Sequence, residues 1–236
     1  MKNLVLFYTN SSSNCRCVEA IAKTIGIDLE FKFINLYREE NLNPKYLSIN
    51  PIGTVPALID GNIKVFDSHA IGIYLVEKYA IVDSLYPKDL LKRTRINQIL
   101  FFEASYLFAR LFEIHDSICN GRDLTISSAK IKYVERGYEN TERLFSEGNQ
   151  FVAGNDMTLA DFSVWSTLLV LDLLIPINNQ KYPKLRTYLK LLEEHPCYQA
   201  NFGGAQKQAD FIEKCMEKAK NYKINTFELI YPRPPI

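Results

Sequence analysis

The segment NPIGTVPALID, residues 50–60, contains a turn, the dipeptide Val55-Pro56 and a short apolar run that predicts a strand. A bond before proline favours the trans form by only about 0.5–1 kcal/mol, so this bond is a candidate for the cis form. A cis bond would turn the amide and carbonyl of Val55 outward, where they can pair with the main chain of a peptide-like ligand. The alternative is an ordinary proline at the edge of a sheet.

The segments around residues 50–60 alternate short apolar runs with helical patterns. LVLFY (4–8), the helical CVEAIAKTIGI (17–27) and LEFKFINL (29–36) precede it, and KVFD (64–67) and the helical HAIGIYLVEKY (69–79) follow it. This order predicts β-α-β-(α)-β-β-α for the first part of the chain.

The pattern changes class near residue 82, where strand signals give way to apolar stripes at helical spacing. We therefore predict a small α/β domain at residues 1–80, an all-helical domain at 87–222 and an extended, proline-rich tail at 223–236. The most apolar run, FSVWSTLLVLDLLIPI (162–177), is interrupted by polar residues and a proline, and it predicts a buried core helix instead of a membrane span.

Composition restricts the function classes. The chain has 47% hydrophobic and 23% charged residues and a formal net charge of +1, which is typical of a globular protein without a bias toward nucleic acid or membranes. Its five cysteines are scattered, odd in number and not preceded by a signal peptide, so we expect a reducing compartment, the cytoplasm. No group of His, Cys, Asp and Glu has metal-ligand spacing, so no metal is predicted.

Two segments place polar side chains at predicted helix starts. In DSHAIGIYL, Asp67 and Ser68 begin a helix whose free amides and dipole favour an anion such as a ligand carboxylate, unless Ser68 is only the N-cap and Asp67 only a first-turn acid. In YTNSSSNCRC (8–17), Cys15 is either a redox nucleophile or a packing residue; Cys15-x-Cys17 lacks the C-x-x-C spacing of dithiol oxidoreductases.

NPIGTVPAL, DSHAIGIYL and AGNDMTLADFSVWSTL (153–168) together resemble a cytosolic glutathione transferase, close to the insect delta and epsilon classes. The resemblance covers nearly the whole chain. It implies a thioredoxin-like first domain, an all-helical second domain, glutathione as co-substrate and a homodimer. Thr158 to Asp161 resembles the capping box with which the family begins a core helix, a structural feature.

The family pattern Ser-Pro-Pro-Cys-Arg overlays residues 12–16, which makes Ser12 the expected catalytic serine. Its hydroxyl would donate a hydrogen bond to the glutathione sulfur and favour the thiolate. A shift of one residue, to Ser11 or Ser13, stays open. The family's prolines and two of its histidines are replaced here, the histidines by Asn41 and Gly53. The implied glutathione-binding residues are Asn41, Gly53, Thr54, Val55, Pro56, Asp67, Ser68 and His69.

The resemblance also implies that FFEASYLFARLFEIHDSI (101–118) lines the pocket of the second substrate. Tyr106, Arg110 and Glu113 fall on one helical line, so a carboxylate could enter an apolar pocket and bind a ligand hydroxyl, as a sterol would offer. The alternative is a Glu113–Arg110 pair on a solvated face. The implied pocket residues are Leu36, Tyr37, Phe108, Arg110, Phe112, Glu113, Val170 and Phe211.

This helix is similar to that of the Noppera-bo group of epsilon-class transferases, which are required for ecdysteroid biosynthesis. That similarity makes Glu113 the residue expected to bind the steroid hydroxyl. Asp116, another acidic residue, lies one turn further along the helix. Three hypotheses follow: a steroid-holding glutathione transferase of ecdysteroid synthesis, a general detoxifying transferase, and a non-catalytic steroid carrier on the same fold.

Overall fold

The computed structural model describes residues 4–145 and 148–221. The first part of the chain follows the predicted β-α-β-(α)-β-β-α order, which is thereby confirmed. Its elements are β1 (Leu4–Tyr8), α1 (Ser13–Thr24), β2 (Glu30–Phe33), two 3₁₀ turns (Leu36–Arg38 and Glu40–Leu42), α2 (Pro44–Leu47), β3 (Ala57–Asp60), β4 (Ile63–Phe66) and α3 (Ser68–Tyr79).

The register of the sheet brings the turns of interest to one edge. The strand order is β2-β1-β3-β4, with β2 parallel and β3 antiparallel to β1. Phe7 near the end of β1 faces Ala57 at the start of β3, and Ala57 faces Phe66 at the end of β4. Tyr8 also faces Phe33 at the end of β2. The segments that follow β1, β2 and β4 and the one that precedes β3 therefore converge.

The second part of the chain is helical, as predicted. Its elements are α4 (Leu90–Phe102), a π-helical segment (Glu103–Phe108), α5 (Ala109–Cys119), α6 (Ser128–Leu144), α7 (Leu159–Leu174), α8 (Pro183–Leu192) and α9 (Tyr198–Asn221). The predicted boundaries at residues 80 and 87 fall between α3 and α4. The predicted tail at 223–236 lies outside the described residues.

Helix α7 is the centre of the core, which confirms the prediction of a buried helix. All its residues from Leu159 to Leu171 are buried, and Trp165 is fully covered. The predicted capping box is also present: the Asp161 carboxylate accepts hydrogen bonds from the Thr158 amide at 2.7 Å and from the Val152 amide at 3.0 Å. Burial raises the pKa of Asp161 to about 6. No helix of the described ranges has the length and hydropathy needed to cross a bilayer.

A buried arginine ties the two parts together. The Arg16 side chain on α1 donates from Nε to Asn201 Oδ1 on α9 at 2.9 Å and from a terminal nitrogen to the Ser166 carbonyl on α7 at 3.1 Å. Its other terminal nitrogen donates to the Asn10 carbonyl at 3.1 Å. Because Asn10 lies in the turn between β1 and α1, the helical part fixes the position of that turn.

Candidate functional site

Ser12 is the N-cap of α1, at the converging edge of the sheet. Its hydroxyl oxygen accepts from the Cys15 amide at 3.4 Å, and its own amide donates to the Thr9 carbonyl at 3.1 Å. The first turn of α1 carries no acidic residue, so the positive potential of the helix start is not compensated there. A partly exposed hydroxyl therefore sits at an electropositive helix terminus.

The neighbouring serines are engaged differently. The Ser11 hydroxyl lies 3.1 Å from the Thr9 hydroxyl. Ser13 is 1% exposed, and its hydroxyl has no hydrogen-bond partner in the described structure. Of the three candidates, Ser12 is therefore the one whose hydroxyl combines the helix N-cap position with partial exposure.

Cys15 is a packing residue in this structure. It is fully buried in a small cluster with Ile34, Tyr46, Val55 and Ala57. Burial raises the pKa of the Cys15 thiol to about 11, despite the nearby Ser12 hydroxyl. A thiol that is neutral and covered at physiological pH does not act as a redox nucleophile, which favours the packing alternative.

The Val55-Pro56 bond is cis, the first of the two alternatives. Two side chains hold the loop before this bond in place. The Tyr46 hydroxyl and the Asn50 side-chain amide donate hydrogen bonds to the Thr54 carbonyl at 2.5 and 2.7 Å. Val55 itself takes part in none of the loop hydrogen bonds between described residues. Its main chain is thus available as an added edge for a ligand.

Asn41 and Gly53 shape the same loop. The Asn41 side-chain amide donates to the Gly53 carbonyl at 2.7 Å. Gly53 has a φ of 70°, and a Cβ there would lie 3.1 Å from a Leu42 methyl group. A histidine side chain would therefore fit poorly at position 53, and the side chain of Asn41 is used to hold the loop.

The start of α3 differs from the prediction in one respect: Asp67 is the N-cap and Ser68 the first helical residue. Oδ1 of Asp67 accepts from the amides of His69 and Ala70, both at 3.0 Å. The other oxygen, Oδ2, accepts none of the described hydrogen bonds, and Ser68 donates none from its amide or hydroxyl. Asp67 has a φ of 73°, a conformation that is costly for a residue with a Cβ and is often found at functional sites.

His69 was expected to hold glutathione, and in this structure its side chain contacts Ser163 and Glu103. Its Nε2 lies 2.6 Å from the Ser163 hydroxyl and 3.0 Å from Oε2 of Glu103, so the ring faces the helical domain. Glu103 is 1% exposed and accepts from the Thr167 hydroxyl at 2.5 Å. Glu103 was not among the site residues predicted from the sequence. The signal that could have indicated it is an acidic residue within an apolar helix, together with hydroxyl-bearing residues in another apolar helix.

Aromatic side chains from both domains meet beside this edge. The rings of Tyr37, after β2, and Phe211, on α9, are 4.4 Å apart. Phe211 also faces His115 on α5, at 6.1 Å and 29° between the rings. The rings of Phe108, at the end of the π-helical segment, and Phe112, on α5, are 6.2 Å apart, and Leu36 is 38% exposed in the 3₁₀ turn. These contacts place aromatic side chains of both domains in the region where the second substrate was expected to bind.

Glu113, Arg110 and Val170 lie elsewhere, which corrects their predicted places. The Glu113 side chain is 45% exposed and accepts from Arg110 at 2.9 Å. The Arg110 guanidinium lies 5.5 and 5.4 Å from the ring centroids of Tyr106 and Tyr133, toward α6. The solvated pair is therefore the correct alternative.

Two further residues also have surroundings that differ from the predicted pocket. Val170 is fully buried in the core around α7. The Asp116 carboxylate accepts a hydrogen bond from Asn120 at 2.6 Å and is paired with Arg122, so it is not free to bind a ligand hydroxyl either. His115, to which the sequence analysis gave no role, lies seven residues after Phe108 and points toward Phe211.

Comparisons with known proteins agree with this geometry. Residues 3–77 match the model of the glutathione S-transferase N-terminal domain, and residues 123–200 match that of the C-terminal domain. The chain is 32% identical over 227 residues to glutathione S-transferase D7 of Drosophila melanogaster, covering 95% of this chain and 99% of that protein.

Solved structures give the same answer. A glutathione transferase homolog from Drosophila mojavensis with bound glutathione is 35% identical, covers 91% of this chain and 98% of its own, and superposes with a TM-score of 0.87. An epsilon-class glutathione S-transferase from the housefly, Musca domestica, is 35% identical over 90% of this chain and 98% of its own, also with a TM-score of 0.87. The chain therefore belongs to the glutathione S-transferase family, as an insect delta/epsilon-class transferase whose co-substrate is glutathione.

Proposed function

We propose that Ser12 activates glutathione in this enzyme by donating a hydrogen bond to its sulfur. The observation that carries this proposal is the position of the Ser12 hydroxyl, at the N-terminus of α1 and at the same sheet edge as cis Val55-Pro56 and the start of α3. A hydrogen bond and a helix dipole both stabilise a thiolate relative to a thiol.

The groups along this edge suit the parts of glutathione. The Val55 amide and carbonyl can pair with the peptide main chain of the ligand. Oδ2 of Asp67 is an acceptor for its ammonium group, and the amide and hydroxyl of Ser68 are donors for its terminal carboxylate. Asn41, Gly53, Thr54 and Pro56 would act by shaping the loop that presents Val55, and His69 by anchoring the start of α3.

We propose that the second substrate is an aromatic or otherwise apolar electrophile, bound between the 3₁₀ turn, α5 and α9. This corresponds to the general detoxifying transferase. A steroid, and with it a place in ecdysteroid synthesis in the Noppera-bo group, is the second candidate because the aromatic walls also fit flat apolar rings. The carboxylate expected to bind the steroid hydroxyl, that of Glu113, is not free because it is paired with Arg110.

Membership of the family supports a proposal for assembly and location. We propose a homodimer in the cytoplasm, in which residues 1–80 bind glutathione and residues 87–222 bind the electrophile.

Titration of the glutathione thiol tests the role of Ser12. The thiolate absorbs in the ultraviolet, so the pKa of the bound thiol can be measured in the wild type, in Ser12→Ala and in the matched control Ser13→Ala. We expect Ser12→Ala to raise this pKa and to lower kcat/KM about 10- to 100-fold, because a hydrogen bond to a charged group is lost. Ser13→Ala removes a buried hydroxyl without a partner and should leave both values unchanged.

Three results would count against the proposed function. If Ser12→Ala binds glutathione with an unaltered thiol pKa, the assignment of Ser12 is wrong. If the wild type itself binds glutathione without lowering that pKa, the protein is a carrier. Binding of a steroid that is lost in Glu113→Ala would favour the second candidate over the first.

A further inference from the structure

We propose that Cys119 on α5 and Cys215 on α9 form a disulfide when the folded enzyme meets hydrogen peroxide, so that the pair is a site of reversible oxidation. All five cysteines of the chain are buried and reduced in this structure. The proposal does not use Ser12, glutathione or the second substrate, so it stands independently of the proposed function.

The packing of α5 against α9 brings the two cysteines into one layer. The rings of His115 on α5 and Phe211 on α9 lie 6.1 Å apart. Cys119 follows His115 by four residues, and residues four apart lie on the same face of a helix. Cys215 follows Phe211 by the same spacing. The next contact layer between the helices is therefore formed by the two thiols, which share a hydrogen bond.

The other cysteines lack this arrangement. Cys15 and Cys17 are two positions apart on α1, and side chains at that spacing do not face each other on a helix. The Cys197 thiol donates to the Ala20 carbonyl at 3.9 Å. A disulfide forms between side chains that face each other at short distance, and among the described residues Cys119 and Cys215 meet this condition.

The two thiols are not equivalent. The Cys119 S–H donates a hydrogen bond to the Cys215 sulfur, and this bond lowers the pKa of Cys215 below its ordinary value, although burial opposes the shift. The charge of Lys218, one turn further along α9, acts in the same direction. The same hydrogen bond, with burial, raises the pKa of Cys119. Because the thiolate is the nucleophile, Cys215 is the residue that reacts with the oxidant.

The oxidation takes place in two steps. The Cys215 thiolate attacks one oxygen of hydrogen peroxide, the O–O bond breaks, and hydroxide leaves while Cys215 becomes a sulfenic acid. The Cys119 sulfur then attacks the Cys215 sulfur and loses its proton, so that the S–S bond forms, the S–O bond breaks and the hydroxyl group leaves as water. In sum, two thiols are oxidised to a disulfide and one peroxide is reduced to two waters.

The surroundings of the pair determine the oxidant and the consequence. Cys119 is 6% exposed and Cys215 is 3% exposed, which favours a small oxidant over a bulky disulfide. The bond would join two core helices that are far apart in the chain, and a disulfide that closes a long loop restricts the unfolded state. Oxidation should therefore stabilise the position of α9, the helix that also holds Arg16 through Asn201.

Mass spectrometry of the full chain tests the proposal. The reduced protein is treated with hydrogen peroxide, the remaining thiols are blocked with N-ethylmaleimide in urea, and the peptides are analysed without reduction. We expect a cross-linked peptide that contains Cys119 and Cys215 and is lost after treatment with dithiothreitol. Cys197 is the internal control, because it has the same 6% exposure as Cys119 but no thiol partner, and it should stay reduced.

Two variants test the assigned roles. Cys215→Ser should slow the oxidation of Cys119 at least about 10-fold, because serine supplies no thiolate. Cys119→Ser keeps a hydrogen-bond donor but cannot resolve the product, so Cys215 should accumulate as a sulfenic acid that dimedone labels. Peroxide should raise the Tm of the wild type by about 5–10 °C and leave that of both variants unchanged.

Four results would overturn the proposal. They are the absence of a cross-link in the folded wild type, a cross-link between other cysteines, oxidation of Cys197 as fast as that of Cys119, and a cross-linked form whose Tm does not exceed that of the reduced form. The last result would show that the bond forms only after α9 has left its place.

Discussion

Nε2 of His69, at the start of α3, lies 3.0 Å from Oε2 of Glu103, at the start of the π-helical segment after α4. Glu103 is almost completely buried, and a second hydrogen bond from Thr167 ties it to α7. The contact therefore joins the end of the sheet domain that carries Asp67 and Ser68 to the core of the helical domain. π-Helical turns often occur at functional sites, and here the turn begins at the acid that makes this connection.

Replacing Glu103 should affect both stability and glutathione binding. Glu103→Ala leaves the partly buried His69 ring and the Thr167 hydroxyl without their partner, so we expect a loss of about 3 kcal/mol in the free energy of unfolding. We also expect a higher KM for glutathione, because His69 is two residues from Asp67. Urea denaturation and initial rates measure the two effects.

Glu113→Ala is the matched control for this prediction. It makes the same chemical change on the neighbouring helix, but its partner Arg110 is on a solvated face, so the expected loss is below about 1 kcal/mol. Similar losses of stability in the two variants would show that the buried contact of Glu103 has no special importance.

The sequence predicted the order of the elements because that order depends on local signals. Alternating apolar residues, helix N-caps and the proline at position 56 are readable without tertiary contacts. Glu113 was misplaced because its orientation depends on helical phase. Successive residues are about 100° apart, so the side chains of Phe112 and Glu113 point in different directions, and that of Glu113 is 45% exposed beside Arg110. The preference of Arg110 for the rings of Tyr106 and Tyr133 then determines the outcome.

The contact between His69 and Glu103 could not be predicted from the sequence, for a different reason. They are 34 positions apart in the chain, and they meet because α3 and the π-helical segment both pack against α7. Neither residue has a local partner that would reveal the pair. Long-range polar contacts of this kind depend on the completed fold, whereas the Thr158–Asp161 capping box is local and was predicted correctly.

Thiol labelling should show that Cys15 is inert in the folded enzyme. Its thiol is fully buried and its pKa is raised to about 11 by that burial, so less than about 0.1% is thiolate at pH 7.5. We expect no labelling of Cys15 by a maleimide within minutes under native conditions, and full labelling in urea, as followed by mass spectrometry of peptides. Rapid native modification of Cys15 would restore the redox alternative.

Asp60 should make the fold sensitive to acid. Its Oδ2 accepts from Lys78 and from the hydroxyls of Tyr74 and Tyr79, the latter two at 2.6 and 2.5 Å. Hydrogen bonding from Lys78, then from the tyrosines, lowers the pKa of Asp60 from 3.8 to about 2. Because the folded pKa is below the unfolded one, the resulting stability is present above about pH 4 and is lost as the pH falls toward 2.

Asp60→Asn tests this dependence. The variant should have a lower Tm than the wild type at pH 6, and the difference should shrink between pH 4 and pH 2, as measured by thermal denaturation at each pH. A difference that stays constant across this range would mean that the charge of Asp60 does not contribute.

The neighbouring glycines of α9 should respond in opposite directions to alanine, because only one of them lies against the turn that carries Ser12. A Cβ on Gly204 would overlap with Cδ of Arg16 and with the Asn10 carbonyl oxygen, whereas a Cβ on Gly203 meets nothing within 4 Å. We expect Gly203→Ala to stabilise the protein by about 0.5–1 kcal/mol, since alanine is the better helix former.

Gly204→Ala should destabilise the protein by about 1–3 kcal/mol and also reduce kcat/KM. The reason is that Arg16 holds the Asn10 carbonyl, so displacing either group moves the turn that positions the Ser12 hydroxyl. Urea denaturation gives the stability of each variant, and the thiol pKa of bound glutathione reports the position of Ser12. If Gly204→Ala is as stable and as active as Gly203→Ala, the helical domain does not fix this turn.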